Sequence, residues 1–147
     1  MRDTVLALHV LVGTAALLVG PVWLVLRLRG RSGRGTAWAY QLAVAAVVTS
    51  SAYLAVSAPG LWWLLPFGAL TETLAVAGAL ARRRSWRGWR TWQPHLLGGS
   101  YIALVTGLLV AGTGNPVFWL VPAVVGQVPI AVAKRRVHAA PREVVPG

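Results

Sequence analysis

Long apolar runs, separated by short polar or glycine-rich breaks, dominate the chain. A helix needs about 20 apolar residues to cross a bilayer, because each residue adds about 1.5 Å of rise. The pattern therefore predicts an all-α integral membrane helix bundle with five transmembrane helices. The predicted spans cover residues 4–26, 36–58, 61–81, 95–112 and 117–133.

Prolines bear on the expected geometry of the first, fourth and fifth runs. The fifth run is only 17 residues long and contains Pro122 and Pro129. Two interpretations stay open: a kinked span, or four spans plus a partly inserted fifth segment. Pro21, after Gly20, is expected to bend the first helix or force local repacking. Pro94 is expected to open the fourth helix, since a first-turn proline sacrifices no hydrogen bond.

The composition supports a membrane location and restricts the chemistry. Of the 147 residues, 12% are charged, whereas about a quarter are charged in soluble domains. A single transmembrane domain, residues 1–147, is expected. The chain has no cysteine, which excludes disulfides and thiolate metal sites. The net charge of +11 does not indicate nucleic-acid binding, because the basic residues form clusters between apolar runs.

The basic clusters predict the orientation. Thirteen of the 14 basic residues lie in residues 27–35, 82–92 and 134–147, and none lies in the turns at Pro59-Gly60 and Asn115. The positive-inside rule then places these three segments in the cytoplasm and the N-terminus outside, in the inner (cytoplasmic) membrane. Four spans would leave the basic tail, residues 134–147, outside. The tail is expected to be mobile.

Glu72 lies within the third run, about 11 residues or 16 Å from its outer end. Its neighbours at helical spacing include Gly68 and Ala75, so the carboxyl should face other helices. Gln127, at similar depth, and Thr106, less than two turns away, complete a candidate intramembrane polar site. One hypothesis is a proton-carrying or cation-binding carboxylate. The other is a protonated glutamate that holds helices together by a hydrogen bond to Gln127 or a hydroxyl.

His9, Tyr53 and His95 are candidate ligands or relay residues. His9 lies near the outer end of the first run, at the depth of Ser50 and Tyr53, and His95 lies at the cytoplasmic edge. One hypothesis is that these histidines ligate haem b or a metal, or relay protons. The alternative is that they form only interhelical or interfacial hydrogen bonds and bind no ligand. The two histidines are about 20 Å or more apart. They therefore cannot clamp one haem, although ligation by one histidine, or across a dimer, stays open.

Arginine and tryptophan alternate in the third linker. Lying flat, it would place the rings at the acyl boundary and the guanidinium groups on anionic lipid headgroups. A linker that merely follows positive-inside statistics is the alternative. Trp38 and Tyr40 are expected at interface depth at the start of the second run. The candidate headgroup-binding residues are Arg83, Arg87, Arg90, Trp86 and Trp89.

Two motifs carry a resemblance. The first run contains LHxxxGxxALxxGP, from Leu8 to Pro21, and the fourth begins with HLLGGSYIA at His95. Together they resemble a family of small bacterial multi-pass membrane proteins that is defined by a domain of unknown function. The chain departs from it at GRSGRGTAWAY, which lacks the family's His-Arg pair. The resemblance implies a multi-pass topology, singles out His9 and His95, and implies no activity.

Three functional hypotheses follow. The first is a non-enzymatic accessory or assembly component of the membrane. The second is a redox component that holds haem b or interacts with quinone. The third is a small transporter or proton pathway that uses Glu72, although no clear internal repeat supports it. The expected partners are the lipid bilayer and its anionic headgroups, with a second copy of the chain or another membrane protein beside them.

Reporter fusions test the orientation. Tags at Pro59 and Asn115 should report outside, and tags at Gly33, Gly88 and Gly147 should report inside, because translocation follows the distribution of basic residues. An outside signal at Gly147 would contradict a fifth span.

Overall fold

A computed structural model of the chain describes residues 1–29, 34–58, 60–62, 64–84 and 87–139. Within these ranges the regular structure is helical throughout and contains no strand. A 3-10 turn, Pro116–Trp119, precedes the last two helices. The α-helices are α1 (Arg2–Leu28), α2 (Arg34–Ser57), α3 (Leu64–Arg83), α4 (Trp89–Thr113), α5 (Val121–Val125) and α6 (Gln127–Ala139).

Five stretches of the described chain are long and apolar enough to cross a bilayer. Four of them are α1 to α4, and the fifth extends over Val117–Arg136. The predicted all-α bundle with five membrane-length segments is therefore confirmed. The fifth segment is not one helix, because the 3-10 turn, α5 and α6 follow one another within it.

The two prolines of the fifth segment each lie in the first turn of a helix. Pro122 is in the first turn of α5, and Pro129 is the third residue of α6. A proline costs no hydrogen bond there, because first-turn N–H groups have no partner within the helix. Between the two helices, the Gly126 N–H donates to the Pro122 carbonyl at 2.9 Å. The prolines thus divide the segment into two short helices.

Successive long helices run antiparallel. His9 of α1 contacts Ser50 of α2, and the start of α2 meets the end of α3 where Arg83 covers Trp38. On α3, a Cβ at Gly78 would lie 2.7 Å from Leu97 of α4. This alternation brings the basic end of α3 to the same end of the bundle as the starts of α2 and α4.

Two boundaries differ from the sequence prediction. Helix α4 begins at Trp89 and includes Pro94 in its second turn, so Pro94 does not open it. Gly88, at φ 77°, precedes the helix in a left-handed conformation that glycine adopts without strain, and its carbonyl accepts from the Thr91 N–H. Helix α6 continues to Ala139, so the first six tail residues are helical, and residues 140–147 lie outside the described residues.

Pro21 lies inside α1 without ending the helix. Because proline has no N–H, the carbonyl of Leu17, four residues earlier, loses its helical donor. The Tyr101 hydroxyl of α4 donates to this carbonyl at 3.0 Å. The neighbouring helix thus replaces the missing hydrogen bond, which is how a membrane helix tolerates proline.

Substitution of Gly78 tests the α3–α4 contact. A Cβ there would lie 2.7 Å from Leu97 Cγ and 3.2 Å from Leu96 Cβ, so Gly78→Ala should lower the free energy of unfolding by about 1–3 kcal/mol. SDS-induced unfolding measures the change. Gly107→Ala is the control, because a Cβ there meets nothing within 4 Å, and it should be neutral or stabilise by up to about 1 kcal/mol. Equal effects at the two sites would contradict the close packing.

Candidate functional site

The core lies where α1, α2, α3 and α4 meet, around Tyr40, Val44 and Ala75. Tyr40 is only 7% exposed, and its hydroxyl lies 2.9 Å from the hydroxyl of Ser100. Ser100 donates to the Leu97 carbonyl at 2.8 Å, so Tyr40 is the donor to Ser100. Tyr40 thus faces the interior of the bundle, where this hydrogen bond ties α2 to α4.

Glu72 lies in α3 and interacts with the side chain of Gln41 in α2. Both residues are partly buried. Within the described chain, Oε2 of Glu72 and Nε2 of Gln41 are buried and have no hydrogen-bond partner. Within the described chain, the Glu72 carboxyl and the Gln41 carboxamide thus lie close together, with one acceptor oxygen and one N–H donor that form no hydrogen bond.

Gln127 and Thr106 do not join Glu72. Gln127 is exposed, and its amide donates to the Ala123 carbonyl of its own segment at 3.2 Å. Its helix, α6, packs on α4, α5 and α1 and not on α3, so the proposed Gln127 partner for Glu72 is wrong. Thr106 is buried in α4, about one turn from the level of Glu72 by the α3–α4 register.

His9 forms an interhelical hydrogen bond near the N-terminal end of α1. Its Nδ1 lies 2.9 Å from Ser50 Oγ and 3.4 Å from Ser51 Oγ. Ser50 donates to the Ala46 carbonyl at 2.7 Å, so its oxygen accepts from the His9 Nδ1–H. Nε2 then carries the ring's lone pair. Tyr53, expected at the same depth, is 43% exposed.

The two histidines lie at opposite ends of the bundle. His95 is exposed in the second turn of α4, whereas His9 lies beside Ser50 at the other end of α2. Antiparallel α1 and α4 meet at Gly20 and Tyr101. From these contacts, His9 and His95 are separated by roughly 17 residues of helical rise, or about 25 Å. They therefore cannot be the two axial ligands of one haem.

At the basic end of the bundle, Arg83 of α3 makes a cation–aromatic contact with Trp38 of α2. The guanidinium carbon of Arg83 lies 4.3 Å from the centroid of the Trp38 ring. Such a contact contributes about 0.5–1 kcal/mol at an exposed site. Arg87 is exposed in the turn before α4, and Trp89 is half-buried at its first residue. Trp86 and the side chain of Arg90 lie outside the described residues.

Sequence reasoning missed Gln41 as the neighbour of Glu72. The available signal was an amide in the otherwise apolar second run, one helix away from a carboxyl. It also missed Ser100 and Tyr101, although the fourth-run motif HLLGGSYIA contains both.

Comparison with family models, with curated proteins and with solved structures finds no match to this chain. The contacts above are therefore the basis for functional inference.

Substitution of Tyr40 tests the α2–α4 tie. Tyr40→Phe removes the donor to Ser100 and should lower the free energy of unfolding by about 0.6 kcal/mol, and by no more than about 1.7 kcal/mol, as for other hydrogen bonds between membrane helices. SDS-induced unfolding measures it. Tyr53→Phe, at an exposed tyrosine of the same helix, is the control and should change nothing. A Tyr40→Phe protein as stable as the wild type would contradict the tie.

Proposed function

We propose that the chain is a small multi-pass membrane protein that acts as a non-enzymatic accessory or assembly component. The observation that carries this proposal is the use of its interior polar side chains. Tyr40 bonds Ser100, Tyr101 bonds the Leu17 carbonyl, and His9 bonds Ser50. Each of these hydrogen bonds links two helices, as expected of a compact framework.

The proposed setting is the inner membrane, with the N-terminus outside and the basic end in the cytoplasm. Antiparallel packing supports this, because it collects the basic helix ends on one side. The resemblance to the multi-pass family stays a prediction that agrees with this topology.

Anionic phospholipids are the proposed partners of the basic end. The chain has only three acidic side chains, Asp3, Glu72 and Glu143, against 14 basic ones, so lipid headgroups can supply the missing counter-charge. Arg83, already positioned over Trp38, is the residue expected to bind first.

Native mass spectrometry should show preferential retention of phosphatidylglycerol over phosphatidylcholine, and equal retention would exclude this partner.

Ligation of haem by one histidine is the second candidate. The hydrogen bond from the His9 Nδ1–H to Ser50 favours it, because a ligating histidine normally donates its other ring N–H and so presents Nε2 to the metal. Since His95 is remote, His9 would be the single histidine ligand of a b-type haem or would share the haem with a second copy of the chain. A purified protein with no Soret band would exclude this candidate.

Genetic complementation tests the accessory role. Deletion of the gene should reduce the amount of one or more membrane complexes on native gels, because an assembly component acts through its framework. Wild type should restore them. His9→Ala and Glu72→Gln should also restore them, because the proposed role requires neither ligation nor ionisation.

Gly78→Leu is the matched negative control, because it disrupts the α3–α4 contact without touching a candidate chemical group. Unchanged membrane complexes in the deletion strain would contradict the accessory role. Failure of Glu72→Gln alone to restore them, at normal abundance, would mean that the function depends on the acid.

A further inference from the structure

Glu72 is left unexplained by an accessory role. It is a carboxyl inside a membrane-length helix, and such groups are costly there. The basic residues of the adjoining helices stand at helix ends: Arg34 in α2, Arg82 and Arg83 in α3, and Arg90 in α4. Along α3 itself, Arg82 is ten residues or about 15 Å away. Among the side chains that the structure describes, no cation is therefore placed to neutralise a carboxylate at this position.

The resting form of Glu72 follows from its surroundings. Oε2 is buried and, among the described residues, accepts no hydrogen bond. An ionised carboxylate that lacks both a cation and a donor on one oxygen would carry a large desolvation cost. The neutral acid avoids this cost, and its O–H needs only one acceptor.

Gln41 can serve both forms of the acid. A carboxamide offers a carbonyl acceptor and an N–H donor on the same group. Its carbonyl can accept from the O–H of neutral Glu72, and rotation of the amide presents Nε2–H to the carboxylate. Nε2 is buried and has no partner within the described chain, so the donor is available.

The other titratable groups around Glu72 are already engaged. Helix α3 packs against α2 and α4. Tyr40 of α2 lies within electrostatic range of Glu72, and Tyr101 of α4 lies within range of Tyr40. Tyr40 donates to Ser100 and Tyr101 donates to the Leu17 carbonyl. Gln41 is thus the side chain that can respond to a change of charge on Glu72.

We propose that Glu72 and Gln41 form a proton-binding site between α2 and α3. In the loaded form the proton is bound to a carboxyl oxygen of Glu72, and the O–H donates to the Gln41 carbonyl. On release the O–H bond breaks, its electron pair stays on the carboxylate, and water accepts the proton. The Gln41 amide then donates Nε2–H to the carboxylate. This inference goes beyond the accessory role and does not depend on it.

A hydrophobic carbodiimide, dicyclohexylcarbodiimide, tests the site in the full-length protein in liposomes. The reagent enters the bilayer and reacts with neutral carboxyl groups. Mass spectrometry should find an adduct on Glu72 near neutral pH and its loss at high pH, as the acid ionises. Glu72→Gln should abolish this adduct, whereas Asp3→Asn should preserve it. A Glu72 that stays unlabelled at every pH would overturn the proposal.

The role of Gln41 is tested by the pH at which labelling is half-maximal. Gln41→Met keeps the length of the side chain but removes both the acceptor for the neutral acid and the donor to the carboxylate. Because the hydrogen bond to the charged carboxylate is the stronger of the two, the neutral acid should persist to higher pH. A shift of about one pH unit or more, a tenfold change in proton affinity, is expected. Gln41→Leu is the second variant, should the first fail to fold. The control is Gln127→Leu, at an exposed amide, which should not move the profile. Superimposable profiles for Gln41→Met and wild type would overturn the paired site.

Discussion

The bundle depends on one constraint: a polar backbone group in hydrocarbon must find its partner within the protein. Pro21 creates such a need in the middle of α1, because the Leu17 carbonyl loses its donor. The Tyr101 hydroxyl of α4 donates to this carbonyl at 3.0 Å. Gly20 makes the approach feasible, since a Cβ there would lie 2.6 Å from the Tyr101 ring. The three residues therefore act together: Pro21 leaves the carbonyl without a donor, Gly20 makes room for the ring, and Tyr101 supplies the hydrogen bond.

Helix α4 holds the bundle together from this point. Ser100, beside Tyr101, fixes α2 through Tyr40. Leu97 packs against Gly78 of α3, and Gly98 leaves no room for a Cβ beside Ile130 of α6. Small residues let the backbones approach, and the hydroxyls between them set the register. Such close contacts replace the hydrophobic driving force, which is weak between helices that lipid already surrounds.

Sequence reasoning succeeded where a helix is continuous. The depth of His9 and Ser50 could be counted along unbroken α1 and α2, and the two side chains meet. The same count placed Gln127 at the depth of Glu72, but it could not predict which way the Gln127 side chain faces. The break at Gly126 and Pro129 resets the helical phase, so the amide faces outward. The apolar runs were therefore enough to predict the five membrane-length segments. They could not identify Gln41 as the neighbour of Glu72, because that contact depends on how α2 is rotated about its axis relative to α3.

The tie between Tyr101 and Leu17 also bears on biogenesis. The two residues are 84 positions apart in the chain, and synthesis proceeds from the N-terminus. The first helix therefore enters the bilayer with an unsatisfied carbonyl, well before the fourth helix leaves the ribosome. Until then, water, lipid headgroups or the insertion machinery must shield that carbonyl. Because of Pro21, α1 reaches its final hydrogen-bonded state only after α4 has been synthesised. Stable insertion of α1 is thereby coupled to the translation of α4.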